Sequence, residues 1–313
     1  MKVLFMGTPD FAVPCLRALT EDPHYQVVGV FTQPDKPQGR KMVLTAPPVK
    51  QYALEQGYPV FQPEKMKDGT ALAQIQQWAP DVIVVVAFGR ILPKEILDYP
   101  PYGCINIHGS LLPKYRGAGP IQWCVLNGEE LAGVTSMQMA EGLDTGDMLL
   151  KTSTPIGENE TAVELFDRLK ELAAENLLRT LEGLKAGTLT PEPQKEAESS
   201  YAPMLKKEMA LIDFSQPAQT VHNHIRGMNS WPVAYTFAEG RKLKVFTSRM
   251  GGDSSALPGT VLEQDREKGL RVACGQGSVW LLEAQLEGKK RMTIDALLRG
   301  FPLPPGTVLG QGE

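Results

Sequence analysis

Apolar residues follow two alternating patterns along the first half of the chain. Four short apolar runs predict β-strands, at 3–7, 27–32, 82–88 and 105–110. Four longer stretches space their apolar residues three or four apart and predict helices, at 11–19, 49–56, 70–78 and 118–127. Strands that alternate with helices predict an α/β fold with a doubly wound, mostly parallel sheet. Because the run 82–88 is apolar throughout, we expect it to be a central strand covered on both faces.

The pattern changes in the second half. A long amphipathic stretch at 161–186 predicts one helix, which begins with a capping box of Thr161 and Glu164 and stops at Gly187. Residues 190–208 mix prolines, serines and charges without periodicity and predict a linker. Beyond it, one helical segment at 219–228 precedes several short β-like runs, which predict a small OB-like β-barrel. The expected domains are therefore 1–189, joined by 190–208 to 209–313.

Composition supports two folded domains. The chain has 313 residues, of which 42% are hydrophobic and 22% charged, and a domain typically holds about 150 residues. The longest apolar run is far shorter than the roughly 20 residues of a membrane span, and the start of the chain lacks a leader pattern. We therefore expect a cytoplasmic protein without a membrane partner. The cysteines are widely spaced with no C-x-x-C, which favours buried thiols over disulfides or a zinc site: Cys15, Cys104, Cys124 and Cys274.

Charge is unevenly distributed between the two predicted parts. The net charge of −4 divides into −6 over residues 1–208 and +2 over residues 209–313. A polyanionic partner is therefore expected at the C-terminal part or at a local basic loop. A solvated surface of mixed sign explains the same difference equally well.

The first candidate catalytic residues lie at the end of the fourth predicted strand. The alternation of a strand places Asn106 and His108 on one face, at the carboxyl edge where open α/β sheets bind ligands. Side chains at such an edge also serve as loop anchors, so the pair alone leaves both interpretations open. The common dinucleotide, phosphate-loop, zinc-protease and serine-hydrolase motifs do not occur in the sequence.

Five spaced motifs extend this observation. They are MGTPDF at 6–11, QPDKPQGR at 33–40, NIHGSLLPKYRGAGPI at 106–121, GVTSMQMAEGLDTGDM at 133–148 and NSWPVA at 229–234. Together they resemble the folate-dependent formyltransferases, and specifically the members that act on methionyl-tRNA. The resemblance covers essentially the whole chain. It implies a Rossmann-like catalytic domain that transfers a formyl group from 10-formyltetrahydrofolate to the α-amino group of initiator methionyl-tRNA, followed by a tRNA-contacting C-terminal barrel.

The resemblance also assigns residues. It implies that Asn106, His108 and Asp144 are catalytic and that no metal takes part. The loop of Ser110, Leu111, Leu112 and Pro113 is expected to lie against the folate. Arg40 and Lys41 map onto a loop that enters the tRNA acceptor stem, although the Met, Val and Leu that follow leave this loop less basic than in other members. Lys206 and Lys207 are further candidates for tRNA contact, and we expect a monomer.

These residue types suit formyl transfer. Attack of an amine on a formyl group develops negative charge on the carbonyl oxygen, which needs fixed hydrogen-bond donors. Asn106 and His108 can supply N–H groups, and Asp144 is expected to accept a hydrogen bond from the far ring nitrogen of His108. Asp147 competes with Asp144 for the carboxylate role, and the D-x-G context favours Asp144.

The sequence leaves other interpretations of the function open. The same catalytic residues would serve a formyltransferase acting on an amino-sugar nucleotide or a small ribonucleotide. A non-enzymatic RNA-binding protein is a further alternative. His222 and His224 fall on a predicted helix two residues apart, where they share no face, so packing is favoured over metal binding. Trp231 is expected to be a buried aromatic, with base stacking as its alternative.

Overall fold

A computed structural model describes residues 1–39 and 42–310 of the chain. Its contacts form two compact units, each built from several stretches of sequence. Unit 1 comprises Met1–Ala118, Ala132–Thr154 and Phe166–Ala202. Unit 2 comprises Gly119–Leu131, Pro155–Leu165 and Pro203–Glu313.

Unit 1 contains a seven-stranded sheet of order β5-β2-β1-β6-β7-β8-β9. The strands are β1 (Lys2–Gly7), β2 (Gln26–Phe31), β5 (Val60–Phe61), β6 (Val82–Val86), β7 (Cys104–His108), β8 (Leu131–Gln138) and β9 (Met148–Pro155). The pairs β5–β2, β2–β1, β1–β6 and β6–β7 are parallel, whereas β8 runs antiparallel to β7. The predicted mostly parallel, Rossmann-like sheet is confirmed.

Strand β6 is the centre of this sheet. All five of its residues are buried, and it is the fourth of seven strands in the order. Strands that are buried on both faces are typically near-continuous apolar runs, which explains the uninterrupted run of valine and isoleucine in β6. The apolar pattern of this segment therefore predicted its position in the sheet.

Helices cover the connections between these strands. Those that lie largely or wholly in unit 1 are α1 (Val13–Glu21), α2 (Pro48–Glu55), α3 (Thr70–Trp78), α4 (Lys94–Leu97) and α6 (Ala162–Ala186). Proline stands in the first turn of α1 and α2, where its missing N–H costs no helical hydrogen bond. The predicted capping box is present, because Thr161 N donates to Glu164 Oε2 at 2.8 Å and Glu164 N donates to Thr161 Oγ1 at 3.4 Å. Gly187 stops α6 at a φ of +65°.

A short hairpin leaves the carboxyl side of β2. Its strands β3 (Lys36–Gln38) and β4 (Val43–Thr45) are antiparallel, with Lys36 opposite Thr45. Met42, Val43 and Leu44 are exposed to 68%, 59% and 66%. The hairpin therefore presents apolar rather than basic side chains next to its tip.

Unit 2 is built on an antiparallel sheet of order β10-β11-β14-β13-β12, with β15 added to β14. Its strands are β10 (Tyr235–Ala238), β11 (Arg241–Gly252), β12 (Val261–Asp265), β13 (Gly269–Ala273), β14 (Ser278–Leu286) and β15 (Met292–Thr293). The predicted antiparallel β domain is confirmed, and its partly open path of five strands is of the kind found in OB-like barrels.

Three helices complete unit 2: α5 (Pro120–Leu126), α7 (Ala218–Gly227) and α8 (Ile294–Leu298). The core beneath them includes Ile225, Leu243 and Val272, all fully buried. Helices α5 and α7 pack closely because Gly227 has no side chain, and a Cβ there would lie 2.7 Å from the Leu126 side chain.

All four cysteines are free and buried, as expected from their spacing. Burial raises the pKa of the Cys104, Cys124 and Cys274 thiols to about 12, so these groups are protonated at neutral pH. Within 1–39 and 42–310, no helix is both long and apolar enough to span a bilayer.

Candidate active site

Strand β7 delivers two of the three predicted catalytic side chains. Asn106 and His108 are two residues apart at the carboxyl end of the strand and therefore face the same side of the sheet. Both are nearly buried, at 9% and 7% exposure. The third side chain, Asp144, comes from the turn that joins β8 to β9, and only 12% of it is exposed.

The side chains of Asn106 and His108 both approach the Asp144 carboxylate. Asn106 Nδ2 donates to Asp144 Oδ1 at 3.3 Å, and the backbone N–H of Gly117 donates to Oδ2 at 2.8 Å. His108 Nδ1 lies 3.7 Å from the same Oδ2. Asn106 Nδ2 carries a second hydrogen, so this amide can also donate to a ligand. An amide, an imidazole and a carboxylate thus form one cluster, as the sequence predicted.

The hydrogen bonds of His108 differ from the expectation. His108 Nε2 lies 2.8 Å from the backbone oxygen of Tyr115, and a carbonyl can only accept, so Nε2 carries the hydrogen. The nitrogen that faces Asp144 is Nδ1, and 3.7 Å is too long for a hydrogen bond. The expectation that Asp144 holds the far ring nitrogen was therefore wrong in its detail. Tyr115 orients the ring, which leaves Nδ1 as the nitrogen directed at the cluster.

The turn that carries Asp144 has an unusual backbone. Asp144 has a φ of +52°, in the left-handed region that few residues other than glycine and asparagine adopt. Gly146 approaches the end of β8 so closely that a Cβ would lie 1.7 Å from Gln138 O. The glycine of the D-x-G motif is therefore required by space. Asp147 is exposed and makes none of the contacts of the cluster.

Three contacts of this cluster were not predicted. His108 is held by the Tyr115 carbonyl. Asp144 is held by the Gly117 amide and by the Gln194 side chain, which donates to Asp144 O at 2.8 Å. The first two are backbone groups, for which the residue type carries no signal. Gln194 lies in the predicted linker, where no periodicity marks it.

The predicted folate loop is held tightly. Thr135 Oγ1 donates to Ser110 O at 2.7 Å and accepts from Leu112 N at 3.1 Å, while Ser110 Oγ donates to Lys114 O at 2.7 Å. Ser110 is 4% and Leu112 1% exposed, and Leu112 packs with Met137 and Met148. Pro113 is also buried, whereas Leu111 is partly exposed and contacts Gly133. Leu111 is thus the side chain of this loop that a ligand can reach, and the other three give the loop its shape.

The predicted tRNA-binding residues fall in two places. Arg40 and Lys41 lie outside the described residues, between Gly39 and Met42 in the sequence. Lys206 and Lys207 are exposed in unit 2, at the start of a short 3-10 helix. The structure leaves both lysine side chains open to solvent.

A polar cluster supports the base of the hairpin. Lys50 Nζ lies 2.8 Å from both carboxylate oxygens of Asp35 and 2.8 Å from Gln62 Oε1. Hydrogen bonds from Lys50 and Gln62 hold the pKa of Asp35 below its ordinary value. Because Asp35 immediately precedes β3, this cluster fixes where the hairpin begins.

The remaining candidates resolve differently. His222 is fully buried, with Nε2 donating to Glu158 O at 3.0 Å and Nδ1 accepting from Ser248 Oγ at 2.9 Å, so it packs as expected. Trp231 is 51% exposed, so the expectation of a buried aromatic was wrong. Among the described residues, no group of three or more His, Cys, Asp or Glu side chains is placed to hold a metal ion.

Comparison with known proteins identifies the family. The formyl transferase model matches residues 1–181, and the model of the formyl transferase C-terminal domain matches residues 204–302. The chain belongs to the formyl transferase family. The methionyl-tRNA formyltransferase of Citrifermentans bemidjiense is 52% identical over 313 residues, which is 100% of this chain and 98% of that relative. The methionyl-tRNA formyltransferase of Geobacter sulfurreducens is 50% identical over 311 residues, with 99% and 97% coverage.

Solved structures share the fold of this formyl transferase at low identity. An N-formyltransferase from Helicobacter canadensis, solved with folinic acid and dTDP-3-aminofucose, has a TM-score of 0.68 at 19% identity and covers 90% of this chain and 98% of its own. HypX from Aquifex aeolicus, solved with tetrahydrofolic acid, has a TM-score of 0.61 at 19% identity and covers 95% and 47%.

Proposed function

We propose that this enzyme transfers the formyl group of 10-formyltetrahydrofolate to the α-amino group of initiator methionyl-tRNA. The identity of about 50% with methionyl-tRNA formyltransferases over the full chain supports the acceptor. The observation that supports formyl transfer is the close approach of the Asn106 amide and the His108 ring to the Asp144 carboxylate.

The donor set fits a formyl carbonyl. When bound, 10-formyltetrahydrofolate supplies the electrophilic formyl carbon. The free hydrogen of Asn106 Nδ2 is a donor for the oxygen that becomes negative, and His108 Nδ1 is a second donor when the ring carries hydrogens on both nitrogens. Both belong to side chains that the strand and Tyr115 already hold in place, so little reorganisation is needed.

Asp144 completes the site as an acceptor. Its carboxylate accepts hydrogen bonds from Asn106 and Gly117 and faces His108 Nδ1. It therefore orients the Asn106 amide and can accept the proton that the attacking amine loses. Leu111 and the backbone of the loop at 110–113 form the proposed contact with the folate. Asp147 has no place in this arrangement.

The tRNA contacts are proposed on charge and position. Arg40 and Lys41, which follow β3 in the sequence, and the exposed Lys206 and Lys207 provide positive charge for phosphates. We also propose a catalytic domain at 1–189, a linker at 190–208, a tRNA-contacting domain at 209–313, a cytoplasmic location and a monomeric state.

A direct assay tests the function. The enzyme is incubated with 10-formyltetrahydrofolate and charged initiator tRNA, and formyl-methionine is scored after release from the tRNA. We expect formylation of the initiator, and a loss of about 100- to 1000-fold in kcat for Asn106→Ala, since removal of one oxyanion donor typically has this effect.

Two control acceptors discriminate the alternatives. Charged elongator methionyl-tRNA reports how strictly the initiator is demanded, and an amino-sugar nucleotide represents the other acceptor class. Formylation of the sugar in place of the tRNA would assign the enzyme to that class. Binding of tRNA with no transfer to either acceptor would favour a non-enzymatic RNA-binding protein.

A further inference from the structure

The segment after residue 190 runs alongside the turn that carries Asp144. Met148 and Glu192 form an antiparallel bridge, with N···O distances of 2.9 and 2.8 Å in the two directions. In an antiparallel pair the partners move in opposite directions along the chain. Two residues further, this register places Gln194 opposite Gly146, at the D-x-G turn.

The Gln194 side chain holds this turn with both amide hydrogens. Nε2 donates to Asp144 O at 2.8 Å and to Gly146 O at 2.8 Å. Its Oε1 accepts from Arg116 Nε at 3.0 Å. Because Arg116 can only donate, the amide oxygen must face Arg116 and the NH₂ group must face the turn. The orientation of Gln194 is therefore determined by its partners.

The hydrogen bonds from Gln194 stabilise an unusual backbone conformation at Asp144. The φ of Asp144 is +52°, and a residue with a side chain is less stable in this left-handed region than in the right-handed one. Two donors on the carbonyls on either side of Thr145 favour this conformation over its alternatives. The direction of the Asp144 carboxylate follows from it.

We propose that Gln194, oriented by Arg116, is a positioning residue that fixes the Asp144 carboxylate against Asn106 and His108. This role rests on the proposed function, because it acts through the proposed catalytic carboxylate. Gln194 itself contacts the backbone of the turn and not the three catalytic side chains. A merely structural Gln194 would instead tie its own segment to the rest of unit 1 without influence on Asp144.

Two variants test the role. Gln194→Ala removes the donors, and Gln194→Glu keeps an oxygen for Arg116 but sets a carboxylate oxygen against two carbonyl oxygens. We expect kcat to fall about 100-fold in each, as for a small displacement of a catalytic group, with KM for methionyl-tRNA changed by less than about twofold. Gln51→Glu is the matched control, since Gln51 also donates to a backbone carbonyl of unit 1, that of Ala46 at 2.7 Å. We expect wild-type turnover for it.

A double-mutant cycle separates positioning from stability. If Gln194 acts through Asp144, Gln194→Ala lowers kcat by less than about twofold once Asp144→Asn is present. An equal loss in both backgrounds would overturn the proposal. Turnover at the wild-type level in both single Gln194 variants, with the control also active, would overturn it as well.

Hydrogen exchange gives a readout that does not need activity. The Gly117 amide donates to Asp144 Oδ2, so its exchange rate reports where the carboxylate lies. We expect faster exchange of the Gly117 amide in Gln194→Ala and no change in Gln51→Glu. An unchanged exchange rate in Gln194→Ala would contradict the positioning role of Gln194. The two proposals can fail separately. If the wild-type enzyme does not formylate methionyl-tRNA but Gln194→Ala still speeds exchange at the Gly117 amide, the proposed function is wrong and the positioning role of Gln194 is retained.

Discussion

At the scale of single residues, the site is organised by groups that only accept or only donate. The Tyr115 carbonyl determines which nitrogen of His108 carries a hydrogen. The Gly117 amide occupies one side of the Asp144 carboxylate. Each of these contacts restricts the rotation of a side chain, so His108 and Asp144 have defined orientations without a bound ligand.

The two nearby carboxylates are predicted to differ in their effect on catalysis. Asp144→Asn replaces an oxygen that accepts from Asn106 or Gly117 with a donor, and we expect kcat to fall by about 100- to 1000-fold. Asp147→Asn is the matched control three residues away, because Asp147 is exposed, and its kcat should change by less than about twofold. Steady-state kinetics with saturating donor and acceptor check both. A larger loss in Asp147→Asn would move the catalytic role to that residue.

At the scale of elements, the β3–β4 hairpin exposes apolar residues directly after the predicted tRNA-binding pair in the sequence. Met42, Val43 and Leu44 are well exposed, and Arg40 and Lys41 precede them in the chain. The base is held by Lys50 and Asp35. This contact fixes the residue that immediately precedes β3.

Salt dependence is predicted to report the contribution of this hairpin. If Arg40 contacts a phosphate, Arg40→Ala reduces the slope of log affinity against log salt by about 0.9, the contribution of one phosphate contact on a duplex. Binding of initiator tRNA is measured over a range of salt concentrations. Lys185→Ala, which removes an exposed cation at the end of α6, is the control and should leave the slope unchanged. A slope that does not move in Arg40→Ala would remove this residue from the tRNA contacts.

The elements themselves were well predicted where one pattern governs them. Helix α3 was predicted at its observed bounds, and the start of α6 followed from its capping box. The turn at Gly187 followed from its residue type. The sequence did not reveal that residues beyond 190 pair with Met148, because a backbone bridge to a distant strand end leaves no periodicity.

At the scale of the whole molecule, buried histidines in unit 2 link stability to pH. Burial lowers the pKa of His222, and the charge of Arg226 acts in the same direction. Burial lowers the pKa of His224 as well. In the folded protein these rings therefore stay neutral at pH values where the unfolded chain binds protons.

Stability is predicted to fall on mild acidification. An unfolded histidine titrates near pH 6.5, so the stabilisation from neutral His222 is complete above that pH and is lost as pH falls toward the lower folded pKa. The loss is at most about 1.4 kcal/mol per pH unit for each group. Thermal unfolding is followed from pH 7.5 to pH 5, where ordinary carboxylates, which titrate near pH 4, remain charged. His222→Gln should show a weaker dependence on pH, and an identical dependence would contradict the linkage.

The sequence by itself determined four strands of the first sheet, namely β1, β2, β6 and β7, together with the central position of β6 and the shared face of Asn106 and His108. These features follow from the alternation of apolar and polar residues, which records what each residue faces within its own element. Only the tertiary structure decided which nitrogen of His108 faces Asp144, that Trp231 is exposed, and that Gln194 reaches the turn 50 residues before it. Those outcomes depend on backbone groups and on the approach of distant segments, and neither leaves a periodic trace in the order of side chains.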